Sequence, residues 1–144
     1  MVRVSLDNLD QLAQEVLAQL PAKTARATIL ALQGNLGAGK TTFAQALARA
    51  LGVTEAVQSP TYVLMKSYPI SYNRFTMFIH IDAYRLEKPD EFLALKPDSF
   101  LNEAGNLVCI EWPENVTGIL PKPDLILTFS AEGLGEKERH IDYA

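Results

Sequence analysis

The fold of this chain is decided by one short stretch, Gly34-Asn35-Leu36-Gly37-Ala38-Gly39-Lys40-Thr41-Thr42. The stretch satisfies every fixed position of the phosphate-binding pattern G-x-x-x-x-G-K-[ST]. Glycines let the backbone curl with positive φ and bring N–H groups close to phosphate oxygens. The pattern therefore predicts that the Lys40 ammonium lies against the β- and γ-phosphates of a nucleotide. It also predicts that the Thr41 hydroxyl binds Mg²⁺, a cation that prefers oxygen ligands.

The residues on either side supply the context that this pattern requires. Residues 27–33 form a nearly continuous apolar run, which is typical of a strand buried on both faces. Phe43, Leu47 and Leu51 recur every four residues and predict one face of a helix that ends near Gly52. The order of strand, glycine-rich loop and helix favours a phosphate loop over a glycine-rich turn with an incidental lysine.

Length and composition indicate an ordinary globular protein. The 144 residues predict a single domain, 1–144, and the hydrophobic content of 48% suffices for a core. Arg3, Asp7 and Asp10 stand where a signal peptide would be apolar, and the apolar runs are too short to span a bilayer. The single Cys109 excludes an intrachain disulfide and is expected to be a buried, inert thiol. We therefore expect a cytoplasmic protein with no membrane contact.

The charge of the chain bears on its partners. The net charge is −4, the pI is about 5.1, and lysine and arginine form no run. A protein that grips a nucleic acid backbone by itself needs a positive face, so this composition argues against such a role for the chain alone.

Hydrophobic periodicity predicts the remaining elements. We expect a helix over residues 7–20, capped by Asp7, and short helices or turns within 87–103. The expected strands are 63–68, 75–82, 106–111, 125–129 and 139–143. The first two of these are too close in sequence for a parallel crossover, which predicts an antiparallel pair, and the last two predict a hairpin. The fold class is therefore α/β, a P-loop NTPase-like three-layer fold with a mixed parallel and antiparallel central sheet.

Two acids end buried strands of this sheet. Asp82 and Glu111 each follow an apolar run, so both are expected at the strand ends where α/β proteins bind ligands. His80 lies two residues before Asp82 and on the same sheet face, more often as a hydrogen-bond partner than as a base. Trp112 either packs over a nucleotide or caps the core. Arg85 either pairs with an acid or reaches a phosphate.

Four stretches, in this order, resemble the TsaE family of small P-loop ATPases, which bacteria need to make N6-threonylcarbamoyladenosine in tRNA. They are residues 34–43, Ser59-Pro60-Thr61-Tyr62, His80-Ile81-Asp82-Ala83-Tyr84-Arg85-Leu86 and Ile110-Glu111-Trp112-Pro113-Glu114. The first stretch is common to P-loop proteins, and the other three are specific. Asn35, Tyr62 and Ala83 depart from the Asp, Phe and Leu that the resemblance leads one to expect, and the first departure removes a carboxylate near the phosphate entrance.

The resemblance implies a Mg²⁺-dependent ATPase that is slow without its partners. Such proteins act with TsaD, which transfers the threonylcarbamoyl group, and with TsaB, and they reset that complex between turnovers. The tRNA would be met only indirectly, through the complex. The implied catalytic residues are Lys40, Asp82 and Glu111, and the implied metal ligands are Thr41 and Glu111. The implied ATP-binding residues are Asn35, Leu36, Gly37, Ala38, Gly39, Lys40, Thr41, Thr42, Thr61, Trp112 and Arg139.

Two other functions fit a phosphate loop. A small-molecule kinase would need an acceptor pocket and an arginine-bearing lid, whereas the six arginines are scattered singly and no lid-like insertion is visible. A nucleotide-sensing module that does not hydrolyse would have little use for Asp82 and Glu111.

Overall fold

The computed structural model describes residues 2–21, 25–35, 37–54 and 65–143. Leu36 and the Ser59-Pro60-Thr61-Tyr62 stretch, including Thr61, lie outside the described residues. The described strands are β1 (Val2–Ser5), β2 (Thr28–Gly34), β3 (Met65–Tyr72), β4 (Phe75–Asp82), β5 (Asn106–Glu111), β6 (Leu125–Ser130) and β7 (Glu138–Tyr143). The described α-helices are α1 (Asp10–Gln19), α2 (Lys40–Ala50) and α3 (Asp98–Leu101), and two 3₁₀ helices span Pro89–Leu95 and Pro113–Val116.

The described strands form one seven-stranded sheet in the order β1-β7-β6-β2-β5-β4-β3. The four central strands, β6, β2, β5 and β4, are parallel. The edge strands β3 and β1 and the neighbouring β7 pair in an antiparallel manner. The predicted mixed sheet, the antiparallel β3–β4 pair and the β6–β7 hairpin are therefore confirmed.

The central strands are mostly apolar because both sheet faces are covered. One face packs against α1 and α2, and its core contains Leu30, Leu32 and Phe43. The other face packs against α3 and the 3₁₀ helices, and its core contains Ile29 and Phe92. The three-layer architecture is thus confirmed, and the order of β2, glycine-rich loop and α2 is as predicted.

Two local expectations were wrong, and one strand was not predicted. Helix α1 begins at Asp10, and Asp7 instead forms a surface ion pair with Lys137 at 3.2 Å, so Asp7 does not cap the helix. Strand β3 runs through Pro69, which the sequence placed in the connection; a proline lacks an N–H but is tolerated in an edge strand. Strand β1 was not predicted, because none of its four residues is fully buried and its regularity comes from pairing with β7.

Two expectations from composition can be compared with the fold. Cys109 is fully buried in β5, and burial raises the pKa of its thiol well above the ordinary value, so the thiol is protonated and unreactive. Across the described helices, none combines the length and the apolar character needed to cross a membrane.

Candidate nucleotide-binding site

The phosphate loop connects the carboxyl end of β2 to the start of α2, and two of its glycines are required by the backbone. Gly34 has φ +143°, and a Cβ there would lie 2.7 Å from the carbonyl oxygen of Phe129. Gly39 has φ +101°, and a Cβ there would lie 2.6 Å from Leu6 Cδ2. Helix α2 begins directly after Gly39, and no described side chain caps it. The first N–H groups of α2 are therefore not used by a described side-chain cap, and a helix start of this kind can bind an anion.

Arg139 on β7 binds carbonyl oxygens of the phosphate loop and so stabilises its shape. Its Nε and Nη2 donate hydrogen bonds to the carbonyls of Ala38 and Gly37, each at 3.2 Å. Its Nη1 donates to the carbonyls of Glu136 and Glu138 at 2.8 and 2.7 Å. The carbonyl and the N–H of one peptide unit point in opposite directions, so the Ala38 contact turns the Gly39 N–H away from Arg139. Arg139 thus shapes the phosphate cradle from behind.

Thr41, Glu111 and His80 form a hydrogen-bonded chain across three elements. The Thr41 hydroxyl, in the first turn of α2, donates to Glu111 Oε1 at 2.8 Å and lies 3.1 Å from Oε2. His80 Nε2, on β4, lies 2.6 Å from Glu111 Oε2. Glu111 is only 2% exposed, and these two donors compensate the burial of its carboxylate.

Asp82 is the neighbour of Glu111 in the sheet. The two residues are partners in the parallel β4–β5 register, and both lie at the carboxyl ends of their strands, as predicted. Asp82 is partly exposed, and its Oδ1 accepts the backbone N–H of Tyr84 at 3.0 Å. The two acids therefore differ in environment: Glu111 is enclosed, whereas Asp82 faces the open side of the site.

The Lys40 ammonium is buried among groups that compensate its charge. Lys40 Nζ donates a hydrogen bond to the carbonyl of Gly34 and lies 3.4 Å from the centroid of the Trp112 ring. Burial lowers the pKa of Lys40 below its ordinary value, while Glu111 is the strongest of the nearby acids that oppose this shift. Trp112 thus contacts the lysine of the glycine-rich loop, and its ring also packs against Tyr84 at 5.2 Å between centroids.

The residues at this site fit a Mg²⁺ ion that is shared with a nucleotide. Thr41 and Glu111 supply hydroxyl and carboxylate oxygens, which Mg²⁺ prefers. In the part of the chain that the structure describes, no group of three or more His, Cys, Asp or Glu side chains could hold a metal. The remaining ligands would have to be phosphate oxygens and water, which is how Mg²⁺ is usually held in nucleotide sites.

A cavity of about 560 Å³ opens on the other side of the loop. Its walls are the loop residues Gly34, Asn35, Gly37 and Ala38 and the end of β6 with the turn after it, residues 128–132. Because β5 and β6 flank β2 on opposite sides, the cavity and the acids lie on opposite sides of the loop. Its size is in the range of small-molecule sites.

The structure brings most of the predicted site residues together. Lys40, Thr41, Asp82, Glu111 and Trp112 surround the start of α2. The predicted ATP-binding residues Asn35, Gly37, Ala38, Gly39 and Thr42 form the loop and the first turn of α2, and Arg139 contacts their backbone. Asn35 is exposed, and its carbonyl accepts the Ala38 N–H at 3.0 Å.

The sequence did not single out Tyr84, Glu114 or Leu6 as parts of the site. Tyr84 packs on Trp112, Glu114 is one of the acids that oppose the fall in the Lys40 pKa, and Leu6 lies against Gly39. Tyr84 and Glu114 stand in two of the stretches that carry the family resemblance, two or three residues after the strand-terminal acids, but the sequence assigned them no role.

Parallel strands that deliver acids to a glycine-rich loop at a helix start are the arrangement of the P-loop proteins, and this chain is one of them. The family model described as "Threonylcarbamoyl adenosine biosynthesis protein TsaE" matches residues 4–141, and the chain belongs to the TsaE family.

Individual relatives agree with this assignment. The chain is 36% identical to the "tRNA threonylcarbamoyladenosine biosynthesis protein TsaE" of Haemophilus influenzae over 113 residues, 78% of this chain and 68% of that protein. It is 36% identical to the protein of the same name from Bacillus subtilis over 126 residues, 86% of this chain and 75% of that one. The crystal structure of Bacillus subtilis YdiB superposes with a TM-score of 0.72 at 26% identity, covering 99% of this chain and 82% of that chain.

The bracing role of Arg139 can be tested with Arg139→Lys. A lysine has one ammonium and cannot reproduce the guanidinium contacts to four carbonyls, so the loop should lose its shape. We expect nucleotide affinity to fall about tenfold, which corresponds to about 1.4 kcal/mol, and amide hydrogen exchange in the loop to speed up without nucleotide. Arg49→Lys, at an exposed ion pair with Asp10, is the control and should change neither quantity. Weakened binding with unaltered loop exchange would instead indicate direct contact between Arg139 and the nucleotide.

Proposed function

We propose that the protein is a Mg²⁺-dependent ATPase that supports formation of N6-threonylcarbamoyladenosine in tRNA by binding and resetting a TsaD–TsaB complex. The observation that carries the ATPase is the 2.8 Å contact between the Thr41 hydroxyl and Glu111, beside Lys40 and Asp82 at the start of α2. Membership of the TsaE family and the names of the relatives support the tRNA pathway. We place the protein in the cytoplasm, where that pathway would meet ATP and tRNA.

The proposed hydrolysis assigns one task to each side chain. The loop N–H groups and Lys40 would bind the phosphates, and Thr41 and Glu111 would hold the metal. Bound Mg²⁺ supplies charge neutralisation at the β- and γ-phosphates. Asp82 would orient the attacking water, because it is the acid that remains partly exposed and therefore has access to solvent.

The direction of the bound nucleotide follows from the two sides of the loop. The γ-phosphate end must lie toward Thr41, Glu111 and Asp82, since these groups serve the metal and the water. The rest of the nucleotide must then extend toward β6, where the 560 Å³ cavity begins. We propose that this cavity receives the nucleoside.

Comparison of ATP with inorganic tripolyphosphate tests this direction. Ala131→Trp places a bulky ring on the cavity wall, so we expect ATP affinity to fall at least about tenfold and tripolyphosphate affinity to stay within about twofold. Ala94→Trp is the matched control at an exposed alanine of the Pro89–Leu95 helix, and it should leave both affinities unchanged. Equal losses for both ligands, or no loss for ATP, would place the nucleoside elsewhere; calorimetry measures both affinities.

Substitution of Glu111 should mainly change ATP affinity, whereas substitution of Asp82 should mainly change the rate of hydrolysis. Glu111→Gln removes one charge beside Thr41, and we expect Mg²⁺-dependent ATP affinity to fall about tenfold, which corresponds to the lower end of the range for a charge-assisted bond. Asp82→Asn should slow hydrolysis with a smaller effect on affinity. Glu103→Gln, an exposed acid before the other end of β5, is the control. The roles would be exchanged if calorimetry and phosphate-release rates gave the opposite pattern.

The arginines of the chain argue for dependence on a partner. P-loop enzymes often neutralise the transition state with an additional arginine, worth about 10³–10⁵ in rate. Arg139 already binds four backbone carbonyls. Three other arginines form ion pairs: Arg26 with Asp124, Arg49 with Asp10, and Arg3 with Glu138. Arg74 lies in the turn before β4, about 25 Å along that strand from the acids. Arg85 is exposed, just beyond the end of β4.

Steady-state phosphate release tests the proposal. The purified protein should release phosphate slowly, and addition of the TsaD- and TsaB-like proteins of the same organism should accelerate release. Lys40→Ala should weaken ATP binding about tenfold or more, because a charge-assisted contact to phosphate worth about 1.5–3 kcal/mol is lost. It should also abolish release under both conditions, because the charge that develops on the γ-phosphoryl oxygens is no longer neutralised by the ammonium. A fast enzyme that is indifferent to these proteins would refute partner dependence. Transfer of phosphate to a small molecule, without free phosphate, would identify a kinase.

A further inference from the structure

We propose that His80 is a positioning residue that holds the Glu111 carboxylate in the orientation needed for Mg²⁺. This inference rests on the proposed metal site. His80 is fully buried in β4, and its Nε2 lies 2.6 Å from Glu111 Oε2. It touches the acid and would touch neither the metal nor the nucleotide.

The contacts of Glu111 show why a second donor matters. The carboxylate lies between the Thr41 hydroxyl, 2.8 Å from Oε1, and His80 Nε2, 2.6 Å from Oε2. An ionised carboxylate only accepts hydrogen bonds, so His80 must carry its proton on Nε2. The Thr41 hydroxyl would bind a metal through an oxygen lone pair and would keep its proton for Glu111 Oε1. His80 is the described side chain whose hydrogen bond fixes the other oxygen, Oε2, so the two donors together set the rotation of the carboxylate.

The other ring nitrogen argues against a role in packing alone. His80 Nδ1 is buried and has no hydrogen-bond partner among the described residues. An unsatisfied buried polar atom costs about 1–3 kcal/mol, whereas an apolar side chain would fill the same space without that cost. The cost is understandable if Nε2 performs a task that an apolar side chain cannot.

The place of His80 in the sheet suits such a task. In the β4–β5 register His80 pairs with Cys109, and Asp82 pairs with Glu111, so His80 lies one pleat behind the two acids on the same sheet face. A donor on a central strand is held more rigidly than a donor on a loop. Partners that orient metal ligands in this way commonly change metal affinity by about 10–100-fold.

The test measures ATP affinity by calorimetry as a function of MgCl₂ concentration, and again in EDTA. His80→Asn and His80→Leu should raise the Mg²⁺ concentration for half-maximal ATP affinity about tenfold or more. Their affinity for ATP in EDTA should stay within about twofold of that of the wild type. His80→Gln should return the Mg²⁺ concentration for half-maximal ATP affinity to the wild-type value. The amide nitrogen of Gln reaches the position of Nε2, whereas that of Asn reaches only the position of Nδ1.

Cys109→Ala provides the matched packing control. Cys109 is the register partner of His80, equally buried on the same face, and makes no hydrogen bond to Glu111 in the described structure. The Cys109→Ala variant should have a lower melting temperature, and its Mg²⁺ concentration for half-maximal ATP affinity should be unchanged. The proposal is overturned if Asn and Gln variants behave alike, or if the Mg²⁺ requirement follows the melting temperature across all four variants. If the ATP affinity of the wild type does not depend on the Mg²⁺ concentration, the proposed metal site itself is refuted.

Discussion

Burial of the Lys40 ammonium is the constraint on which the rest of the site depends. A buried charge is costly unless it is paired, and Lys40 finds its partners in three separate parts of the fold. The Gly34 carbonyl comes from the end of β2, and the Trp112 ring comes from the residue after β5. The opposing acids come from the ends of β4 and β5 and from the 3₁₀ helix that follows β5. These elements are distant in sequence. Only the parallel arrangement of β2, β5 and β4, with their carboxyl ends at one sheet edge, brings them together.

The hydrophobic pattern of the strands sets the register in which they pair. That register determines where Glu111 and Asp82 lie. Glu111 is level with Leu32 on β2 and with Asp82 on β4. A slip of one residue would exchange the two sheet faces and would direct Ile110 or Ile81 toward α2 in place of an acid. Because both faces of these strands are buried, such a slip would also place charged groups in the opposite core. The packing of apolar residues therefore holds the acids at the phosphate loop.

The sequence predicted the parts of the fold that are governed by local rules. The glycine loop, helix α2 and strands β2, β4 and β5 follow from spacing and periodicity within a few residues, and the two acids follow from strand ends. The sequence could not predict β1, whose pairing with β7 joins residues more than 130 positions apart. The same holds for the contacts of Arg139: the family resemblance implied it as an ATP-binding residue, but not that it reaches the carbonyls of Gly37 and Ala38 about 100 positions away. Such contacts leave no periodic signal in the chain.

Trp112 connects the buried ammonium to the surface. Its backbone has φ +62°, a left-handed conformation that costs a residue other than glycine about 1–2 kcal/mol and turns the chain sharply after β5. The conformation places the ring on Lys40, where the cation–π contact is worth about 2 kcal/mol when desolvated. Tyr84 packs on the same ring, is 47% exposed and donates its N–H to Asp82. The Trp112 ring therefore lies between the buried ammonium and a surface side chain whose backbone is bonded to the proposed water-orienting acid.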